Sequence, residues 1–210
     1  MLGILGGTFN PIHNGHLYLA ERLQQALSFD AVRFMPAAIP ALKDAPSVSA
    51  EQRADMVKLA IINHPTFQID IRELDRSGPS YTIESLVSLR KELGDKESIC
   101  WLIGSDAFAK LNKWHRWNEL LNYCHFVVVE RPHSEHLNWN AEVASLLESH
   151  HTRDIHKIKN SANGKILIQE IEALDISSTQ IREHIASKKD VDNLMPSNVV
   201  NYIHEYHLYE

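Results

Sequence analysis

Short apolar runs alternate along the chain with stretches of helical periodicity, and no other feature restricts the fold as much. The runs are Met1–Leu5, "AVRFM" (31–35), "TFQIDI" (66–71), "SICWLIG" (98–104), "HFVVVE" (125–130) and "KILIQEI" (165–171). Met1–Leu5, "SICWLIG" and "HFVVVE" are apolar stretches with the pattern of strands covered on both faces. "TFQIDI" instead alternates Phe67, Ile69 and Ile71, as a strand with one covered face does. Between the runs, Gly15–Leu27 carries Ala20, Leu23 and Leu27 on one helical face, and Thr82–Leu93 carries Ile83, Leu86, Val87 and Arg90. Ser49 and Gln52 form a capping box that opens a helix to about Asn63. Short helices are expected around 107–111 and 116–121, one more near 140–149, and two at the end, in "SSTQIREHI" and "SNVVNYIHEY". The prediction is an α/β fold with a mainly parallel sheet and right-handed crossovers. Residues 1–210 form one domain, with the C-terminal helical part (about 176–210) packed on it.

Composition removes several classes of function. A formal net charge of −6 speaks against a broad nucleic-acid surface, although it leaves room for a small phosphate pocket. No apolar run reaches the length of a membrane span. The N-terminus lacks the basic start of a signal peptide, so a cytoplasmic location is expected. Cys100 and Cys124, the two cysteines, each lie in or beside an apolar run and read as buried free thiols in a reducing compartment.

In parallel sheets ligands bind beyond the carboxyl ends of the strands. The first strand ends at Gly6–Gly7 and leads into "GGTFNPIHNGH" (6–16). Neither the dinucleotide fingerprint nor the Walker loop is present. Paired glycines let an anion approach the backbone. His13 and His16 bracket Gly15 where a helix begins; such a pair in isolation could decorate a helix start or hold a metal, but no third ligand stands nearby. Residues 125–156 contain six histidines (125, 133, 136, 150, 151, 156) with no strand or helix period, and they read mostly as solvated loop residues.

"GGTFNPIHNGH" resembles the first signature of the HxGH nucleotidyltransferase superfamily, and "ISSTQIR" (176–182), about 160 residues later, resembles its second. "RELDRSGPSYTIESL" (72–86), "WLIGSDAFAKLNKWHRW" (101–117) and "VVERP" (128–132) extend the likeness to bacterial nicotinate-mononucleotide adenylyltransferases over nearly the whole chain. Asn10 stands where that family usually has Asp, and "PALK" (40–43) where it has PPHK. The resemblance implies a Rossmann-like, doubly wound sheet with helices on both faces. It also implies adenylyl transfer from ATP, with Mg²⁺, to nicotinate mononucleotide, as a monomer or homodimer. Two alternatives remain: another phosphorylated acceptor or cytidylyl transfer, or a non-catalytic nucleotide-binding module.

By the same resemblance, the catalytic set is His13, His16, Lys43 and Arg182. ATP would be held by Gly6, Gly7, Thr8, His13, His16, Gly104, Asp106, Ser178, Thr179 and Arg182. Asp106 would meet the ribose hydroxyls, although by itself it reads as a helix-start residue. Nicotinate mononucleotide would meet Tyr81, Thr82, Trp114 and Arg131, with amides of the Ser80–Thr82 turn reading its carboxylate and Trp114 stacking on the ring, a role for which Trp117 competes. Mg²⁺ would be carried by phosphates and water, with no protein ligand. These residue types suit a reaction whose nucleophile, a phosphate monoester, is already anionic near neutrality and needs only alignment and charge compensation.

Overall fold

The computed structural model describes residues 1–42, 46–130, 139–172 and 174–210. Its six strands are β1 (Leu2–Gly7), β2 (Ala31–Pro36), β3 (Phe67–Ile69), β4 (Ile99–Gly104), β5 (His125–Glu130) and β6 (Ile166–Glu170). They form one sheet in the order β3-β2-β1-β4-β5-β6, and every pairing is parallel. The chain winds outward from β1 to β3, then returns to β4 on the other side of β1. That reversal opens a crevice at the carboxyl ends of β1 and β4, the usual ligand position in such sheets. Both the histidine motif after Gly7 and Asp106 after Gly104 border it.

Side-chain alternation along the strands builds two cores. Leu5, Leu102, Val127 and Leu167 join one, with Leu17, Ala20, Leu23 and Leu27 of α1 (Asn14–Leu27) and Met56, Val57 and Ala60 of α2 (Ala50–Ile61). Ile4, Trp101, Ile103, Phe126 and Val128 join the other, with Ile83, Leu86 and Leu89 of α3 (Thr82–Leu93). The sheet is thus doubly wound. α4 (Ser105–Phe108) follows β4, and α5 (Ala141–His150) and α6 (Ile155–Lys159) lie between β5 and β6. α7 (Ser178–Ala186) and α8 (Ser197–Glu205) close the chain, and the buried Ile181, Ile185, Val199 and Ile203 join the first core. No helix among the described residues is long and apolar enough to cross a membrane. Both cysteines are buried and free, and desolvation pushes the Cys100 thiol up to about 12.

Glycine is needed where β1 meets β4. A Cβ on Gly6 would stand 2.6 Å from Cζ2 of the buried Trp101 ring. Three expectations need correction. The third strand is shorter than "TFQIDI" and ends at Ile69. The buried Asp70 carboxylate accepts from the backbone N–H and side chain of Arg72, which turns the chain away and leaves Ile71 exposed. Second, α6 was not expected; Asp154 caps it through the His156 N–H. Third, His125 is a fully buried residue of β5. Its Nδ1 accepts from the Lys165 N–H at 3.0 Å, so its Nε2–H donates to the Ser161 carbonyl at 2.9 Å. His150, whose Nδ1 meets the Gly164 carbonyl, is likewise tied to structure.

Candidate active site

The segment after β1 is shaped by its own side chains. Phe9 sits at φ 46°, in the left-handed region, with its ring buried against Phe34 and edge-on to His16. An aromatic residue costs about 1–3 kcal/mol in such a conformation, so the packing must hold it there. His13 is the N-cap of α1, and its backbone N–H donates to His16 Nδ1 at 3.2 Å. That bond makes Nδ1 of a neutral His16 the acceptor and places its proton on Nε2, the tautomer with an N–H to donate to an oxyanion. The two imidazoles lie with centroids 3.7 Å apart. Gly15 permits this: a Cβ there would stand 3.0 Å from His13 Nδ1.

His13 is buried, and desolvation lowers its pKa to about 4, so its ring is neutral near pH 7. Among the described residues its Nδ1 finds no partner. The two ring planes are tilted by 33°, and a metal would need a third ligand beside this pair. Among the described residues no group of three or more His, Cys, Asp and Glu could hold one.

The pKa of His13 sets a pH dependence of stability. In the unfolded chain its pKa is about 6.5, above the folded value, so the unfolded state takes up the proton first as pH falls. Stability is therefore complete above pH 6.5 and drains as pH falls towards 4. Between pH 7 and 5 the expected loss is roughly 2 kcal/mol from this residue alone. His125, whose pKa is also lowered by burial, adds in the same direction. Denaturant titrations at pH 7 and 5 measure it, and equal unfolding free energies at the two values would contradict it.

The second motif docks on the first. Ser177 caps α7 by accepting from the Gln180 N–H. Ser178 Oγ donates to the Pro11 carbonyl at 2.9 Å, and Arg182 Nη1 donates to the Asn10 carbonyl at 2.8 Å. Arg182 Nη2 also approaches Thr179 Oγ1 at 3.4 Å. The Ser178 hydroxyl thus bonds the first motif, and the amides at the start of α7 are what remain for an anion. The Tyr209 hydroxyl donates to Asn10 Oδ1 at 2.8 Å, so the last residues of the chain also grip this segment.

A second wall comes from the loops after β2 and before α3. Ser80 Oγ accepts from the Ala38 and Ile39 N–H groups, and the Ser80 N–H donates to the Ile39 carbonyl. The Tyr81 N–H donates to the Pro79 carbonyl. Two of the three amides expected to read a carboxylate are therefore committed, and among the described residues Thr82 N–H alone of the three has no acceptor. Tyr81 lies over His115, centroids 4.4 Å apart, while Trp114 and Trp117 are half-buried against the second core. Nothing in the sequence singled out His115 or Tyr209. Arg53, whose trace there is its place on the apolar stripe of α2, donates to the Thr8 carbonyl at 2.6 Å and the Ala38 carbonyl at 3.0 Å. Asp106 is exposed in the first turn of α4, behind its N-cap Gly104. Lys43 and Arg131 lie outside the described residues.

The chain is similar to known proteins in sequence and in fold. A family model described as cytidylyltransferase-like matches residues 4–184. A probable nicotinate-nucleotide adenylyltransferase of Hydrogenovibrio crunogenus is 43% identical over 210 residues, covering 100% of this chain and 98% of its own. One of Cellvibrio japonicus is 43% identical over 212 residues, covering 99% and 98%. The chain belongs to the nicotinate-nucleotide adenylyltransferase family. Among solved structures, Plasmodium falciparum nicotinic acid mononucleotide adenylyltransferase complexed with NaAD superposes with a TM-score of 0.72 at 20% identity, covering 99% of this chain and 96% of that one, a likeness of fold. In this chain the two motifs read in the sequence are joined directly, Ser178 to Pro11 and Arg182 to Asn10.

Proposed function

We propose that the chain transfers the adenylyl group of ATP to nicotinate mononucleotide, giving nicotinate adenine dinucleotide and pyrophosphate in NAD biosynthesis. The observation that carries this reading is the junction of residues 8–16 with residues 176–182 beside the β1/β4 crevice. It gathers two imidazoles, a guanidinium and the start of a helix at one point, a set suited to a polyphosphate. The relatives named above, similar over their full lengths, support the same activity.

In this reading His16 donates from Nε2 to the transferring α-phosphate, and His13 stands beside the triphosphate. Arg182 and the first amides of α7, at Ser178 and Thr179, meet the β- and γ-phosphates. The backbone of Gly6, Gly7 and Thr8 lies against the polyanion, and Asp106, with Gly104 before it, meets the ribose. Thr82 N–H meets the nicotinate carboxylate, and Tyr81 and Trp114 flank the ring. Lys43 and Arg131 serve the phosphates of the two substrates. Mg²⁺ accompanies ATP, held by phosphate oxygens and water, and supplies charge neutralisation. The site's own donors are N–H groups, which suit the anion rather than the cation. Residues 1–210 work as one domain, as a monomer or homodimer in the cytoplasm.

The test is pyrophosphate release from ATP and Mg²⁺ with nicotinate mononucleotide, nicotinamide mononucleotide or no acceptor. Release that favours the acid is the expected result. Equal release with the amide would remove the nicotinate assignment, and none with any acceptor would remove the activity.

A further inference from the structure

Arg53 lies on the apolar face of α2 at 1% exposure, yet its hydrogen-bond partners are two backbone carbonyls, Thr8 at 2.6 Å and Ala38 at 3.0 Å. Nε has no partner. Among the described residues no carboxylate forms an ion pair with it; Glu51 and the Tyr209 phenol act on it only through space. Burying a cation without a counter-charge is costly, and here the carbonyls return only part of that cost. Among the described residues the other buried arginine is Arg90, but its guanidinium is spread over the carbonyls of Gly94, Glu97, Tyr123 and Ala162. Those lie at the opposite, amino-terminal end of the sheet. The carbonyls that Arg53 holds belong instead to the two loops that wall the candidate site.

The Thr8–Phe9 peptide is trans, so its C=O and N–H point in opposite directions. Fixing the carbonyl on Arg53 turns the Phe9 N–H to the other side of the loop. No acceptor among the described residues takes that N–H. Phe9 itself holds φ 46°, in the left-handed region. Beside it the Asn10–Tyr209 pair is neutral, and the Tyr209 phenol senses both Arg53 and Arg182. Two guanidiniums therefore back one loop, and the side chains between them bring no negative charge.

We propose that Arg53 is a positioning residue of the phosphate site: it aims the Phe9 N–H at the nucleotide and lends a positive charge from behind the loop. This rests on the adenylyl-transfer reading. It extends that reading to a side chain that touches no substrate.

Arg53→Lys keeps the charge and loses the two-carbonyl clamp, whereas Arg53→Met loses both. With folding checked by circular dichroism and melting, ATP is varied at saturating nicotinate mononucleotide over a range of ionic strengths. The kcat/KM for ATP should fall about 10-fold in the lysine variant and about 100-fold or more in the methionine variant. The dependence of log kcat/KM on log salt should become shallower in the methionine variant alone. Lower melting temperatures with wild-type kcat/KM and wild-type salt dependence would mark a purely structural role and overturn the proposal.

A second measurement uses only the wild-type protein, so it survives a failure of either variant to fold. Titrating the ¹⁵N-labelled chain with inorganic tripolyphosphate should move the Phe9 amide proton downfield. Absence of binding, or binding with that amide unmoved, overturns the proposal. A moved Phe9 amide in a protein that releases no pyrophosphate with any mononucleotide would instead sustain the phosphate site and remove the activity.

Discussion

His16→Ala is expected to lower kcat by about 1,000-fold or more, while the protein melts within a few degrees of wild type. The ring sits at the third position of α1, half-exposed, and its one described hydrogen bond accepts from the His13 backbone. Losing that bond costs about 1 kcal/mol, the scale of a helix cap. The effect on rate is larger because the Nε2 proton is held ready by that same bond. A donor aimed at developing charge typically contributes a factor of 10²–10³, more where the transferring group carries several charges. His16→Gln can donate an N–H but lacks the fixed ring, and an intermediate rate is expected. Pyrophosphate release under saturating substrates gives kcat, and a thermal melt gives the fold. A variant with near-normal turnover removes His16 from the chemistry.

Arg182→Met is expected to lower kcat/KM for ATP by about 100- to 1,000-fold. Its guanidinium has two tasks, holding the Asn10 carbonyl and facing the nucleotide. The first is a charge-assisted bond worth about 1.5–3 kcal/mol, so the melting temperature should fall as well. Arg182→Lys separates the tasks. Lysine restores the charge but cannot fork between Asn10 and Thr179, so KM should recover more than kcat. Equal recovery of both would show that the fork does not matter. Full activity in Arg182→Met would show that the contact between the motifs is structural only.

The order of the elements was legible in the sequence because each strand carries its own apolar signal. The parallel sheet followed from alternation and connection rules, whereas its doubly wound character came with the family resemblance. "TFQIDI" misled because a period-2 pattern cannot report that Asp70 prefers a turn stabilised by Arg72. The paired motifs were legible as a resemblance, and their contact is what docking Ser178 on Pro11 adds. Ser80 and Tyr81 appeared able to read a carboxylate, yet their amides pair with Ile39 and Pro79, a choice made by loop packing. Arg53 did leave a trace: it falls on the same helical stripe as Val57 and Ala60, where an apolar residue belongs. Tyr209 left none, because its bond to Asn10 joins opposite ends of the chain and exists only once α7 and α8 have packed.

The stereochemical course at the α-phosphorus is the most direct measurement of how this site works. ATP made chiral at that phosphorus by isotopic or sulfur substitution, turned over with nicotinate mononucleotide, gives a dinucleotide whose configuration can be read by ³¹P spectroscopy. A site that only grips the polyanion and aligns an anionic nucleophile performs one in-line displacement, and inversion is the predicted result. Retention would contradict it, because two displacements require a group of the protein to carry the adenylyl unit in between.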